Sequence, residues 1–173
     1  FAKTPAIDRL AQEGMRFDNF TCNNSICSPS RASILTGQYS HKNGVLGLNG
    51  KMNDDSPQYP EYLQKAGYET MLVGKWHLDG NPVERGFDHY FGHLGGGSDY
   101  FKGSRTHRLD DKPFVPANDG KFYTTDANAD YAIKFIGEAH AQNPGRPFFT
   151  YLAFNAPHAS LQAWPEDIAK YRG

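Results

Sequence analysis

From Pro147 to Phe154 the chain reads Pro-Phe-Phe-Thr-Tyr-Leu-Ala-Phe, with no charge and little alternation of apolar and polar positions. A strand that is apolar on both faces must be covered on both faces, as in the buried middle of a parallel sheet flanked by helices. A second run behaves alike. Pro60 to Ala66 reads as a short helix closed by Gly67, and Tyr68 to Val73 follows as a strand rich in β-formers and apolar residues. Each strand ends in a polar cluster, Gly74-Lys75-Trp76-His77 in one case and Asn155-Ala156-Pro157-His158 in the other. Ahead of the second strand, Thr125 or Asp126 begins a helix whose face is Ala129, Ala132, Ile133, Ile136 and Ala139, broken by Pro144-Gly145. Helix, strand and polar cluster in repetition give an α/β class, a mostly parallel sheet sandwiched by helices. Ligand sites in such sheets gather at the C-terminal ends of strands.

The remaining segments are read in the same way. Thr4-Pro5 starts a helix carrying Ile7, Leu10 and Ala11, and Gly14 ends it. Met15 to Thr21 alternates in polarity and predicts a short strand. Residues 38–57 are a polar loop with turns at Asn43-Gly44 and Asn49-Gly50; His41 lies there as a loop-packing residue or a pocket wall. Residues 79–125 predict a long excursion with a small hairpin near Asp110-Asp111-Lys112-Pro113. Gly95-Gly96-Gly97 lacks the Lys-Ser/Thr of a phosphate loop, so it is a weak signal for a phosphate cradle. Pro165 to Tyr171 starts a last helix, and there are no repeats, no linker and no second domain.

Charge excludes two function classes. Eighteen Lys and Arg against nineteen Asp and Glu give a net charge of −1, without the basic surface of a nucleic-acid binder. No apolar run reaches membrane-spanning length.

The chemistry concentrates between residues 27 and 37: Cys27-Ser28-Pro29-Ser30-Arg31-Ala32-Ser33-Ile34-Leu35-Thr36-Gly37. Ser28 suits a helix cap, Pro29 the first helical position and Gly37 the stop. Cys27 thus sits at or just before a helix N-terminus, whose free N–H groups favour anions, and Arg31 adds a planar cationic fork. Two readings stay open from the residues alone. One is a buried structural cysteine beside a helix cap; the other is a nucleophile at an anion site. Cys22 is the second cysteine, and a Cys22–Cys27 disulfide would consume the thiol.

The whole string resembles the signature of the type I sulfatases, Cys-x-Pro-Ser-Arg followed by Leu-Thr-Gly. Gly67-Tyr68-x-Thr70 through Gly74-Lys75-Trp76-His77 is similar to that family's second signature. Asn155-Ala156-Pro157-His158 resembles its later Pro-His element, and Thr4-Pro5-x-Ile7-Asp8-x-Leu10-Ala11 the helix before the first. The resemblance implies the fold of the alkaline-phosphatase superfamily and hydrolysis of an aryl or carbohydrate sulfate ester. It further implies that Cys27 is oxidised before folding, by a formylglycine-generating enzyme, to formylglycine. The hydrate would bind the metal and attack sulfur. Arg31 would stabilise the hydrate, Lys75 would contact sulfate and the catalytic residue, His77 would take the hydrate proton, and His158 would bind sulfate and protonate the leaving oxygen. Rival readings are a phosphonate monoester or phosphodiester hydrolase with the same chemistry, and an inactive anion-binding relative.

The metal implied is Ca²⁺, with Mg²⁺ as the alternative. Its other ligands in the family lie upstream of Thr4-Pro5 and beyond His158, outside this sequence. Asp54-Asp55 and Asp110-Asp111 are read as solvated turn acids. The expectation is therefore the central part of one sulfatase catalytic domain, with first strand and C-terminal part missing, inactive and poor in metal binding by itself. Family habit places such proteins in the periplasm, outside the cell or in lysosomes, and the low cysteine count favours a bacterial periplasm.

Overall fold

The structure, a computed structural model, describes residues 3–172. Its centre is strand β1 (Glu69–Lys75), flanked on one side by β2 (His89–His93) and on the other by β5 (Phe148–Ala153), both parallel to it. Beyond β2 lie two short antiparallel strands, β3 (His107–Leu109) and β4 (Lys112–Pro113), giving the order β4-β3-β2-β1-β5.

Alternation along β1 assigns the two layers. Leu72 faces helices α2 (Cys27–Thr36) and α4 (Tyr59–Lys65), in a core with Ala32, Leu35, Val45, Trp76, Phe87 and Tyr90. Met71 and Val73 face helix α5 (Thr124–Gln142), with Phe91, Ala132 and Phe135. Helices therefore cover both sheet faces, as expected from the apolar runs. Short helices α1 (Pro5–Glu13), α3 (Ser40–Asn43) and α6 (Pro165–Ala169) lie outside these layers. The hairpin expected near Asp110 is β3–β4.

Several expectations are corrected. Met15 to Thr21 forms no strand: Phe17 and Phe20 touch each other with ring centroids 6.1 Å apart and stay largely exposed. Alternating polarity makes a strand only where a sheet edge or layer is there to take it. Strand β5 is an edge strand rather than the middle of the sheet among the described residues, and Phe148 and Leu152 are 45% and 40% exposed. Helix α5 turns Ile133 outward, 70% exposed, and packs Tyr131 and Phe135 instead. Helix α2 begins at Cys27, with Ile26 at its cap; Ser28 does not cap but donates its hydroxyl to the carbonyl of Leu48 at 3.2 Å. The excursion at 79–125 holds β2, which the sequence reading passed over.

Glycine shapes the C-terminal end of the sheet. Gly92, Gly74 and Ala153 lie in one row across β2, β1 and β5. A Cβ on Gly74 would fall 2.1 Å from the Ala153 carbonyl oxygen, and its φ of +113° is one that side chains rarely adopt. The three strands meet closely there, and the next row carries Lys75 and His93.

Candidate active site

Cys27 is the first residue of α2, at the end of the helix where backbone N–H groups lack intrahelical partners. Gly37 ends that helix in a left-handed conformation, φ +66°, with its N–H on the Ser33 carbonyl. The end of β1 meets the helix start. Lys75 Nζ lies 3.3 Å from Cys27 Sγ, and the Arg31 guanidinium donates through Nη1 to the Lys75 carbonyl oxygen at 2.5 Å. One residue thus serves both partners, its amine on the thiol and its carbonyl on the arginine.

Burial dominates the electrostatics. Lys75 is 3% exposed, and burial lowers its ammonium affinity for the proton, against the favourable contact with Cys27. Burial also pulls Arg31 below its usual range. His77, two residues past β1, is pulled below the ordinary imidazole value by burial first and then by Lys75, Arg31 and His158. It is therefore neutral at neutral pH, the form that accepts a proton.

His77 is held in an unusual backbone state. Its φ is +52°, while its N–H donates to the Leu94 carbonyl at 3.1 Å. His158 follows β5; its Nδ1 faces the Ala159 carbonyl at 2.5 Å, and its own carbonyl accepts from the Tyr100 hydroxyl at 2.9 Å. His158 is exposed, as a residue that meets a substrate must be. The structure so brings Cys27, Arg31, Lys75, His77 and His158 to one end of the sheet.

His41 is not brought there. It is exposed on α3 and stacks on Tyr39 at 5.9 Å. Asp54-Asp55 form an exposed turn, and Asp110 accepts the N–H of Tyr90 at 2.9 Å beside the β3–β4 hairpin. Cys22 and Cys27 are both free thiols. Among the described residues, no group of three or more His, Cys, Asp and Glu is placed to hold a metal ion, and no helix is long and apolar enough to cross a membrane.

Sequence reasoning missed one neighbour of the site and read the other only as a weak signal for a phosphate cradle. His93 pairs with Lys75 across β2 and β1 and touches His107, ring centroids 5.4 Å apart; both histidines are fully buried. The signal was a histidine at each end of an otherwise apolar segment, His-Tyr-Phe-Gly-His. The other neighbour is the Gly95-Gly96-Gly97 loop, which lies against the rings of His77 and His158. A cleft of about 250 Å³ opens beside His77, with Asn49 and Lys51 on its opposite wall.

Comparison with known proteins gives the same answer throughout. The Sulfatase family profile matches residues 1–173. An N-acetylglucosamine-6-O-sulfatase of Bacteroides thetaiotaomicron is 38% identical over 169 residues, covering 96% of this chain and 28% of that protein. An N-acetylgalactosamine-6-sulfatase of Mus musculus is 35% identical over 200 residues, covering 93% of this chain and 36% of that one. The chain thus spans about a third of the length of the curated relatives it matches. A solved structure described as a complex with its substrate, D-glucosamine-2-N,6-O-disulfate, superposes with a TM-score of 0.84 at 36% identity. It covers 97% of this chain and 32% of the other.

Proposed function

Because the chain belongs to the sulfatase family, we propose that it carries the nucleophile and the anion-binding residues of a hydrolase for sulfate monoesters of carbohydrates. The observation that carries this is the 3.3 Å contact between Lys75 Nζ and Cys27 Sγ at the start of α2. A thiol at a helix start with a buried amine against it stands in an anion site, not in an apolar core. The bland reading of a structural cysteine is disfavoured by that surrounding.

The thiol's position also suits formylglycine, whose oxygens would take the ammonium donor that sulfur now faces. Formed from Cys27, that group supplies as its hydrate an oxygen nucleophile and a release of sulfate that needs no water to attack a hindered ester. Lys75 neutralises sulfate charge as it develops, and removal of one such donor typically costs about 10²–10³ in kcat. Arg31, tied to the Lys75 carbonyl, keeps a second fixed charge beside it. Neutral His77 takes the proton of the hydrate's second hydroxyl, the one that does not attack, as sulfate is released. His158 gives one to the leaving oxygen as the imidazolium: Nδ1–H stays on the Ala159 carbonyl and the proton leaves from Nε2, which returns the ring to its neutral form.

The family uses formylglycine and Ca²⁺ in general. Within the described residues the donor set for a hard cation is not assembled. We assign Cys27, as formylglycine, as a metal ligand and propose that the others come from the length of the relatives that this chain does not span. Sulfated sugars are the substrate class, because two relatives are named as amino-sugar sulfatases and the solved neighbour is described with a disulfated glucosamine. A formylglycine-generating enzyme is the maturation partner, and the periplasm, the extracellular space or the lysosome is the location.

The test is a mass spectrum of the Cys27 peptide from full-length protein made alongside the converting enzyme, together with turnover of matched sulfate and phosphate esters. A thiol-to-aldehyde mass loss and faster turnover of the sulfate ester are expected. An intact thiol with no turnover would leave only anion binding, and preference for the phosphate ester would move the protein to a phosphoester hydrolase.

A further inference from the structure

The triple glycine is explained by neither backbone nor phosphate. Among the glycines with left-handed φ, Gly95, Gly96 and Gly97 do not appear, so their backbone would accept alanine. What excludes a side chain at Gly96 is space. An ideal Cβ there would lie 2.6 Å from Cε1, 2.7 Å from Nε2 and 3.2 Å from Nδ1 of His77, closer than carbon meets a ring in folded proteins.

We propose that Gly96 is a positioning residue for His77, its missing side chain making the seat in which the imidazole is held. The loop cannot move aside freely. The Gly95 N–H donates to Thr106 Oγ1 at 3.2 Å, the Leu94 N–H to the Thr106 carbonyl at 3.1 Å, and Asn155 Nδ2 to the Ser98 carbonyl at 3.4 Å. Nor can the His77 backbone retreat, since its N–H is bonded to Leu94 and its φ is already +52°. A methyl group at position 96 is therefore accommodated by rotation of the ring, away from the end of β1 where Lys75 holds Cys27. Gly97 faces His158 more loosely, with a Cβ 3.3 Å from Cε1 and Nδ1 of an exposed ring, so the tight seat is the one at His77.

The inference rests on the proposed role of His77 in turnover, but the contact itself can be tested without it. In the full-length protein, Gly96→Ala is compared with His77→Ala and with the double variant, by thermal melting and by turnover of para-nitrophenyl sulfate. Gly96→Ala is expected to lower Tm in the parent and to leave it unchanged in the His77→Ala background, where no ring remains to collide with. It is expected to lower kcat about 10–100-fold, as displaced catalytic groups do, with KM changed less than about twofold. Gly97→Ala is expected to lose less. If Gly96→Ala fails to fold, recovery of soluble protein in the double variant supports the same contact. An equal loss of Tm in both backgrounds, or an unchanged kcat in Gly96→Ala, overturns the proposal. A parent that hydrolyses no sulfate ester while the melting cycle stays non-additive would sink the sulfatase reading and leave the seat standing.

Discussion

His93 and His107 sit behind Lys75 and take no part in the proposed chemistry, yet they set an acid limit on the fold. Burial pushes His93 down to about 3 and His107 to about 4, each from an ordinary 6.5. Between those values the unfolded chain binds protons that the folded one refuses, so stability falls as pH drops below about 6.5. By about pH 5.5 the loss is roughly 1–1.5 kcal/mol for each histidine. Thermal melting of the full-length protein from neutral to acid pH is expected to show a shallower decline in His93→Gln than in the parent; parallel curves would refute the assignment. At this scale legibility divides by whether chemistry or space chose the residue. Cys27, Arg31, Lys75, His77 and His158 stand out in the chain because their order and spacing make a motif, and the fold gathers them at one end of the sheet. Gly96 does not stand out, because what it meets lies 19 positions away at His77, and no local pattern records it.

The helices and strands were readable in type more often than in orientation. The period of α5 marked a helix correctly and placed Ala132, Ile136 and Ala139 on the packed face, but it put Ile133 there too, nearly opposite Tyr131 on the helix. The sheet chose: Phe91 offers a ring on which Tyr131 stacks at 3.6 Å, and Phe135 stacks with His89 at 5.3 Å. Ile133→Lys is accordingly expected to change stability by less than about 0.5 kcal/mol, whereas Phe135→Ala should cost about 3–5 kcal/mol, both read by chemical denaturation. Similar losses from the two would return Ile133 to the core. Strand β2 was passed over because Gly92 and two histidines weaken its β signal, although Tyr90, Phe91, Gly92 and His93 are all buried. Its glycine is there for contact between strands: a Cβ on Gly92 would lie 1.9 Å from the Gly74 carbonyl oxygen.

For the molecule as a whole, the α/β architecture followed from two apolar runs that each end in polar clusters. Among the described residues β5 lies at the sheet edge, and the run Pro147–Phe154, apolar apart from Thr150, suits a middle strand equally well. The described residues also leave large apolar side chains in water: Ile7 and Leu10 on α1, then Met15, Phe17 and Phe20, each at least 65% exposed. Surfaces of that kind are partner-binding or aggregation-prone. Produced by itself, the 173-residue chain is expected to self-associate at micromolar concentration in light scattering, and a clean monomer would show that this apolar surface is tolerated in water. The link between Cys27 and Lys75 has a consequence in time. The two residues are 48 positions apart. At about 5–20 residues per second, a ribosome needs roughly 2–10 s to add that stretch. Until then the thiol has no amine to hold it, and afterwards the end of β1 can close over it. The modifying enzyme proposed for Cys27, working before folding, would race the synthesis of a strand, and the distance from cysteine to lysine would be the length of its head start.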